Sequence, residues 1–335
     1  NISDDLGYDF TFSTDVNYYE NYLKNIDKVT KKDIIRVAKK YLSNNAIFAD
    51  AFNYMIYDGD EIIKADNLKE LDTTQITVPY GNNARLPVQK YRDLLKVWNA
   101  MMDNNAIYII LGAELQGKVH YGMPVKDGLY DMIGYSKQIE EAGRSYKKKE
   151  KNSEETENDA KLIVEDGTLK IKLTSEEFLS GFRKEDKLMP IITAVIYLSP
   201  ESWDGPLSLH DMLNVEDKEL LRFIPNYPVN LIAPANIDDN DFGKFHTDLG
   251  LAMKVLKYQN SRVDQILVSN EHETVDRSTA VFLNKVANLG LELEDEEGDV
   301  DMNVVMEKRD KKNEVNGAIK LMKSEGKTEK EIIER

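Results

Sequence analysis

The sequence predicts an α/β domain with a mixed central sheet flanked by helices, extended by helical segments at both ends. Three observations lead there. Between Asn45 and Ile56, the residues Phe48, Ala51, Phe52 and Met55 recur at helical spacing. From Ala106 to Gln116 runs a β-branched and aromatic stretch too short for a typical helix, preceded by the turn-like Asp103-Asn104-Asn105. Met189 to Leu198 is a continuous apolar run, suited to a strand covered on both faces.

Taken in order, residues 1–40 form a helical N-terminal extension, with one helix over Asn17–Asn25 and another opened at Thr30. Thr30 followed by Asp33 is a capping arrangement, with aspartate in place of the usual glutamate. Residues 41–270 make the main domain. Its first core helix spans Asn45–Ile56, and the segment around Asp93 is read as the strand neighbouring Ala106–Gln116. Gly128 to Ser145 is expected to be a helix with Leu129, Met132, Ile133, Ile139 and Ala142 as its apolar residues. Residues 146–160 are charged and poor in apolar side chains, which predicts a mobile loop.

Leu162-Ile163-Val164, Asp166-Gly167 and Leu169–Leu173 spell a hairpin. Trp203 to Pro206 reads as a turn with Trp203 as a packing anchor. Leu231-Ile232-Ala233 reads as a short strand leading to a helix from Asp239 to about Tyr258. Residues 271–335 are a helical, charged tail broken by the acidic Glu292–Asp301 stretch, with later pieces at Val315–Ser324 and Glu329–Arg335, the last capped by Thr328. An amphipathic tail of this kind suits self-association into a homo-oligomer; a partly disordered end is the plainer alternative.

Composition narrows the function classes. The 335 residues are 41% apolar, enough for a sizeable core. There is no cysteine, hence neither a disulfide framework nor a thiolate metal site. The histidines (His120, His210, His246, His272) are scattered without zinc spacing. No run approaches the ~20 apolar residues of a membrane helix, so a cytoplasmic protein with no membrane partner is expected. Net charge is −16, which opposes general binding to a phosphate backbone. The charge is uneven, however: seven acids crowd Glu292–Asp301, while Lys147, Lys148, Lys149 and Lys151 form a basic run. Those lysines could touch DNA; a solvated face is the bland reading.

Chemistry concentrates at Asp93, Glu114 and Gln116. Side chains alternate along a strand, so Glu114 and Gln116 share a face while Ala113 and Leu115 turn into packing. If Asp93 lies on the adjacent strand, its carboxylate reaches the same spot. Two carboxylates and an amide at a strand end can hold a hard cation such as Mg²⁺ and activate water for phosphodiester cleavage. The alternative is a pair of solvated strand-end carboxylates. Asp50, on the first core helix, could add a third carboxylate or serve only as a solvated or capping residue.

The chain also resembles a known family. Asn45–Tyr54, Val88–Asp93, Ile110–Gln116, Met123-Pro124-Val125, Trp203–His210 and Asn230–Ala235 carry the likeness, in order, from about Tyr41 to about Glu307. They resemble the recombination-promoting, transposase-like nucleases of the PD-(D/E)XK superfamily, proteins of bacterial mobile elements. The resemblance implies a PD-(D/E)XK-like α/β fold and a DNA endonuclease dependent on Mg²⁺ or Mn²⁺. It implies Asp93 and Glu114 as metal ligands, and Gln116 where the superfamily usually has lysine. An amide can orient water but cannot supply the positive charge of an ammonium. A nuclease-fold protein acting in binding or assembly without turnover is the rival expectation. Separately, Tyr18–Leu23, Val29–Asp33 and Val37–Leu42 resemble the end of an insulinase-type zinc peptidase domain. No His-x-x-Glu-His occurs in the chain, so that likeness brings no catalysis.

Overall fold

Asn44 begins the first core helix by accepting a hydrogen bond from the Ala46 N–H through its side chain at 2.8 Å. Asp58 ends it in the left-handed conformation, φ 53°. The computed structural model describes residues 31–77, 88–102, 105–153, 162–165, 168–171, 174–215, 217–261, 263–267, 274–293 and 298–324. Two helices lead, α1 (Lys31–Leu42) and α2 (Asn45–Tyr57). Ile47 through Asn53 are all buried, so α2 is a helix enclosed by core rather than laid on a surface.

The strands that follow are β1 (Leu68–Glu70), β2 (Thr74–Thr77), β3 (Val88–Tyr91), β4 (Leu94–Met102) and β5 (Asn105–Gln116). Then come α3 (Met123–Ser153), β6 (Leu162–Glu165), β7 (Thr168–Ile171), α4 (Ser175–Ser180) and β8 (Ile191–Tyr197). The chain continues through α5 (Lys218–Leu221), β9 (Asn230–Ile232), α6 (Leu249–Tyr258) and α7 (Val263–Leu267). It ends with β10 (Thr274–Val275), α8 (Arg277–Val286), β11 (Val300–Asp301) and α9 (Met302–Ser324).

The central sheet has five strands in the order β1-β4-β5-β8-β9. β1, β4 and β5 run antiparallel to one another, whereas β5, β8 and β9 run parallel, so the sheet is mixed as the sequence predicts. Its strands alternate between two apolar layers. Leu94, Leu111, Ala113, Leu115, Ala194 and Ile196 join the main cluster with residues of α1, α2, α6 and α8. Leu95, Ile110 and Ile191 face the other way against Tyr135 of α3, and Val195 packs with Met123 at its start. Leu111, fully buried at the centre, should cost about 2–5 kcal/mol if cut to alanine. At the helical ends, Tyr41 of α1 stacks on Phe282 of α8 with ring centroids 4.6 Å apart. Among the described residues, no helix is long and apolar enough to cross a membrane.

Three expectations need correction. The helix read over Gly128–Ser145 is α3, 31 residues long, and it carries on through Lys147–Lys149. The expected loop at 146–160 is therefore helical as far as Ser153; residues 154–161 lie outside the described residues. Leu129 and Met132, assigned to its apolar face, are 42% and 56% exposed. Ile133 is buried as expected, but Met123, Asp127, Tyr130 and Asp131 point inward with it, so two aspartates sit where the periodicity expects hydrocarbon. Next, the helix expected from Asp239 to Tyr258 is broken: Asp241–Lys244 forms a 3₁₀ turn and α6 begins only at Leu249. Finally, Val315–Ser324 is not a separate piece but the end of α9. The helix read at Asn17–Asn25 and the Thr328-capped segment lie outside the described residues.

Candidate active site

The pairing of Leu94 with Ala113 sets Asp93, one residue earlier, opposite Glu114. Ala113 and Leu115 enter the main core, and Glu114 turns to the α3 side, 1% exposed. Sequence spacing thus anticipated the alternation along β5. Asp93 is half-buried, and its Oδ2 accepts the Leu115 N–H at 3.0 Å, tying the start of β4 to the end of β5. Gln116 is half-buried at the last position of β5, in register with Tyr197 of the parallel strand β8. Beyond these strand ends, the Tyr121 hydroxyl meets the Asp204 carboxylate at 3.2 Å, joining the two loops that leave β5 and β8.

α3 contributes a cation. Lys126, in its first turn, places Nζ 2.7 Å from Glu114 Oε2 and stands over the Tyr130 ring. Burial raises the Glu114 carboxyl above its ordinary range; Lys126 opposes that rise and Asp93 adds to it. For Lys126, burial works against the charge but Glu114 outweighs it, so the ammonium is held above its usual pKa and stays protonated. Glu114 Oε1 is buried without a hydrogen-bond partner.

Asp127 follows directly. It is 1% exposed and neither carboxylate oxygen has a hydrogen-bond partner. Burial first, then the negative charges of Glu114 and Asp131, push its carboxyl up to about 7 against the pull of Lys126 and Arg92. Beside it lies a satisfied network. Arg92, also 1% exposed, donates to Thr193 and Asp131; Thr193 Oγ1 donates to Asp131 at 2.7 Å, and the Tyr227 hydroxyl donates to its other oxygen. Gly112 leaves room for this, because a Cβ there would collide with Arg92 Nη1 and lie 3.4 Å from Thr193 Oγ1.

Asp50 stands apart from the cluster. Its Oδ1 accepts the His246 N–H, and its Oδ2 accepts the Thr247 N–H and hydroxyl, at 3.0, 3.0 and 2.5 Å. It is a bracket for the turn before α6, so the capping role fits it and a ligand role with Glu114 does not. Lys147, Lys148 and Lys149 lie toward the far end of α3 from Lys126. A different basic surface adjoins Asp93: a cleft lined by Arg36, Lys39 and Lys40 of α1, with Glu70 and Lys96. Lys96 itself is internal, its Nζ donating to the Ser43 carbonyl at 2.6 Å and to Asn45 Oδ1.

Sequence reading missed Lys126, Asp127 and the Arg92 network. One signal was available for the first: α3 has no acid in its opening turn but does have a lysine, where the helix dipole disfavours a cation. Among the described residues, no three His, Cys, Asp or Glu side chains converge closely enough to enclose a metal ion. Comparison of the chain with protein-family models, with curated proteins and with solved structures found no match.

Proposed function

We propose that the chain is a metal-dependent DNA endonuclease of the recombination-promoting, transposase-like type, hydrolysing phosphodiesters at the ends of β4 and β5. The single observation carrying this is the juxtaposition of Asp93 and Glu114, with Glu114 Oε1 buried and unpartnered. An all-oxygen donor set of two carboxylates suits Mg²⁺ or Mn²⁺, and Mg²⁺ is commonly held by one or two carboxylates with water and substrate phosphate completing the shell. The lack of a third converging ligand is therefore compatible with such a site. When bound, the ion would polarise the phosphate and lower the pKa of attacking water. Asp93 and Glu114 would hold it, and the Gln116 amide would orient the water by hydrogen bonding. The water oxygen would bond to phosphorus as the ester bond breaks; one water proton would go to solvent, the other stay on the new P–OH, and the departing alkoxide take up a proton from solvent.

The basic cleft beside Asp93 supports the DNA assignment against a net charge of −16, since local cations meet the phosphates. A second reading, a nuclease-fold protein that binds or assembles without turnover, draws on the ion pair that partly neutralises Glu114. Relaxation of supercoiled plasmid in Mg²⁺ or Mn²⁺ separates the two. The nuclease nicks, and Asp93→Ala or Glu114→Ala abolishes nicking while circular dichroism stays unchanged. Equal nicking by parent and variants would assign the cleavage to a contaminant.

A further inference from the structure

Position 116 on β5 carries no cation where the chemistry needs one. Negative charge grows on the phosphate oxygens during hydrolysis, and Gln116 is an uncharged amide. Arg92 is buried and already donates to Asp131 and Thr193. Lys126 differs from it. Its side chain is 26% exposed, and its ammonium grips Glu114 at 2.7 Å. It also occupies the first turn of a 31-residue helix, a position where the dipole repels a cation and where structural economy would place an acid. A residue that breaks a local rule beside buried carboxylates marks function over stability.

We infer that Lys126 is a catalytic residue of this site, its ammonium contacting the scissile phosphate and supplying from α3 the positive charge that position 116 on β5 does not. The inference rests on the nuclease reading. Lys126 forms no bond to phosphorus and transfers no proton; it stays an ammonium and lends its charge to the phosphate oxygens. Held by Glu114, it is positioned before substrate arrives.

The test uses the full chain as parent, Lys126→Ala, Lys126→Arg, and Lys126→Ala combined with Gln116→Lys. Two quantities are measured: single-turnover cleavage of a duplex at saturating Mn²⁺, and Mn²⁺ affinity by electron paramagnetic resonance. Lys126→Ala should slow cleavage by about 100-fold or more while leaving Mn²⁺ affinity equal or tighter, because Glu114 is freed from its ion pair. Lys126→Arg should recover part of the rate, and the double variant at least about tenfold over Lys126→Ala. Cleavage by Lys126→Ala within a few-fold of the parent, or faster, would overturn the inference and leave the nuclease intact. A slow Lys126→Ala rescued by neither arginine nor the lysine at 116 would also overturn it, showing Lys126 to be merely structural. A parent that binds Mn²⁺ but cleaves nothing would sink the nuclease reading itself.

Discussion

Replacing Asp127 by asparagine should stabilise this protein at neutral and alkaline pH, an unusual sign for a substitution in a core. The carboxyl is pushed from 3.8 to about 7 in the folded chain. Between those values the folded state holds a proton that the unfolded state releases, so unfolding becomes easier as pH rises through the window. Below about pH 4 both states are protonated and the penalty is absent; above about pH 7 it is fully developed. At about 1.4 kcal/mol for each unit of pH, the penalty reaches roughly 4 kcal/mol. Asparagine keeps the shape, cannot ionise, and removes the penalty. Urea unfolding followed by tryptophan fluorescence, with a chelator present, measures it at pH 4, 6 and 8. The buried Trp98 reports on the sheet, and comparing variant with parent cancels titrations common to both. The variant should exceed the parent by up to about 4 kcal/mol at pH 8, with the gap closing toward pH 4. A variant no more stable at pH 8, or a gain independent of pH, would refute a buried ionised carboxylate.

Removing the charged partner of a buried cation should act in the opposite direction: Asp131→Ala takes the carboxylate from Arg92 and is expected to cost about 3–5 kcal/mol, read from the urea midpoint at pH 7. Gly112→Ala drives a methyl into the anchored guanidinium and should cost about 1–3 kcal/mol, with a matching fall in thermal midpoint; an unchanged midpoint would show that Arg92 can move aside. On the proposed nuclease reading, Gln116→Ala should slow cleavage with Mg²⁺ and Mn²⁺ less than loss of either carboxylate, since the amide is there assigned only the orientation of water. An equal or greater loss would make Gln116 more than an orienting group.

Local patterns were legible and long-range ones were not. The β5 run announces itself by β-branching, and with it the opposite fates of Ala113 and Glu114. α2, the β6–β7 hairpin, β8 and β9 were likewise readable, each from a few consecutive residues. α3 misled because its inward face carries two aspartates among apolar residues. Asp127 and Asp131 are tolerated there only through Arg92, Thr193 and Lys126, residues that the sequence scatters widely. The break before α6 has the same origin. His246 and Thr247 are drawn out of a helix by Asp50, nearly two hundred residues earlier, and no periodicity within 239–258 records that pull. At the site, strand alternation foretold the face that Glu114 takes, whereas Lys126 joins Glu114 by tertiary folding alone.

If the chain cuts DNA as proposed, the length of α3 carries a consequence for how the duplex lies. Lys126 and Lys148 are twenty-two positions apart on one uninterrupted helix, a rise of about 33 Å at 1.5 Å per residue. One turn of B-DNA advances about 34–36 Å. A duplex aligned with α3 and cut beside Lys126 would therefore bring the same face of the double helix around again at the Lys147–Lys149 run. The rod would act as a phase gauge for the groove: hydroxyl-radical footprinting should show a second protected patch one duplex turn from the cut, on its own side. Inserting seven residues between Arg144 and Ser145, both exposed on α3, would lengthen the rod by about 10 Å and carry that patch roughly three base pairs further. A footprint indifferent to the insertion would mean that DNA does not lie along this helix.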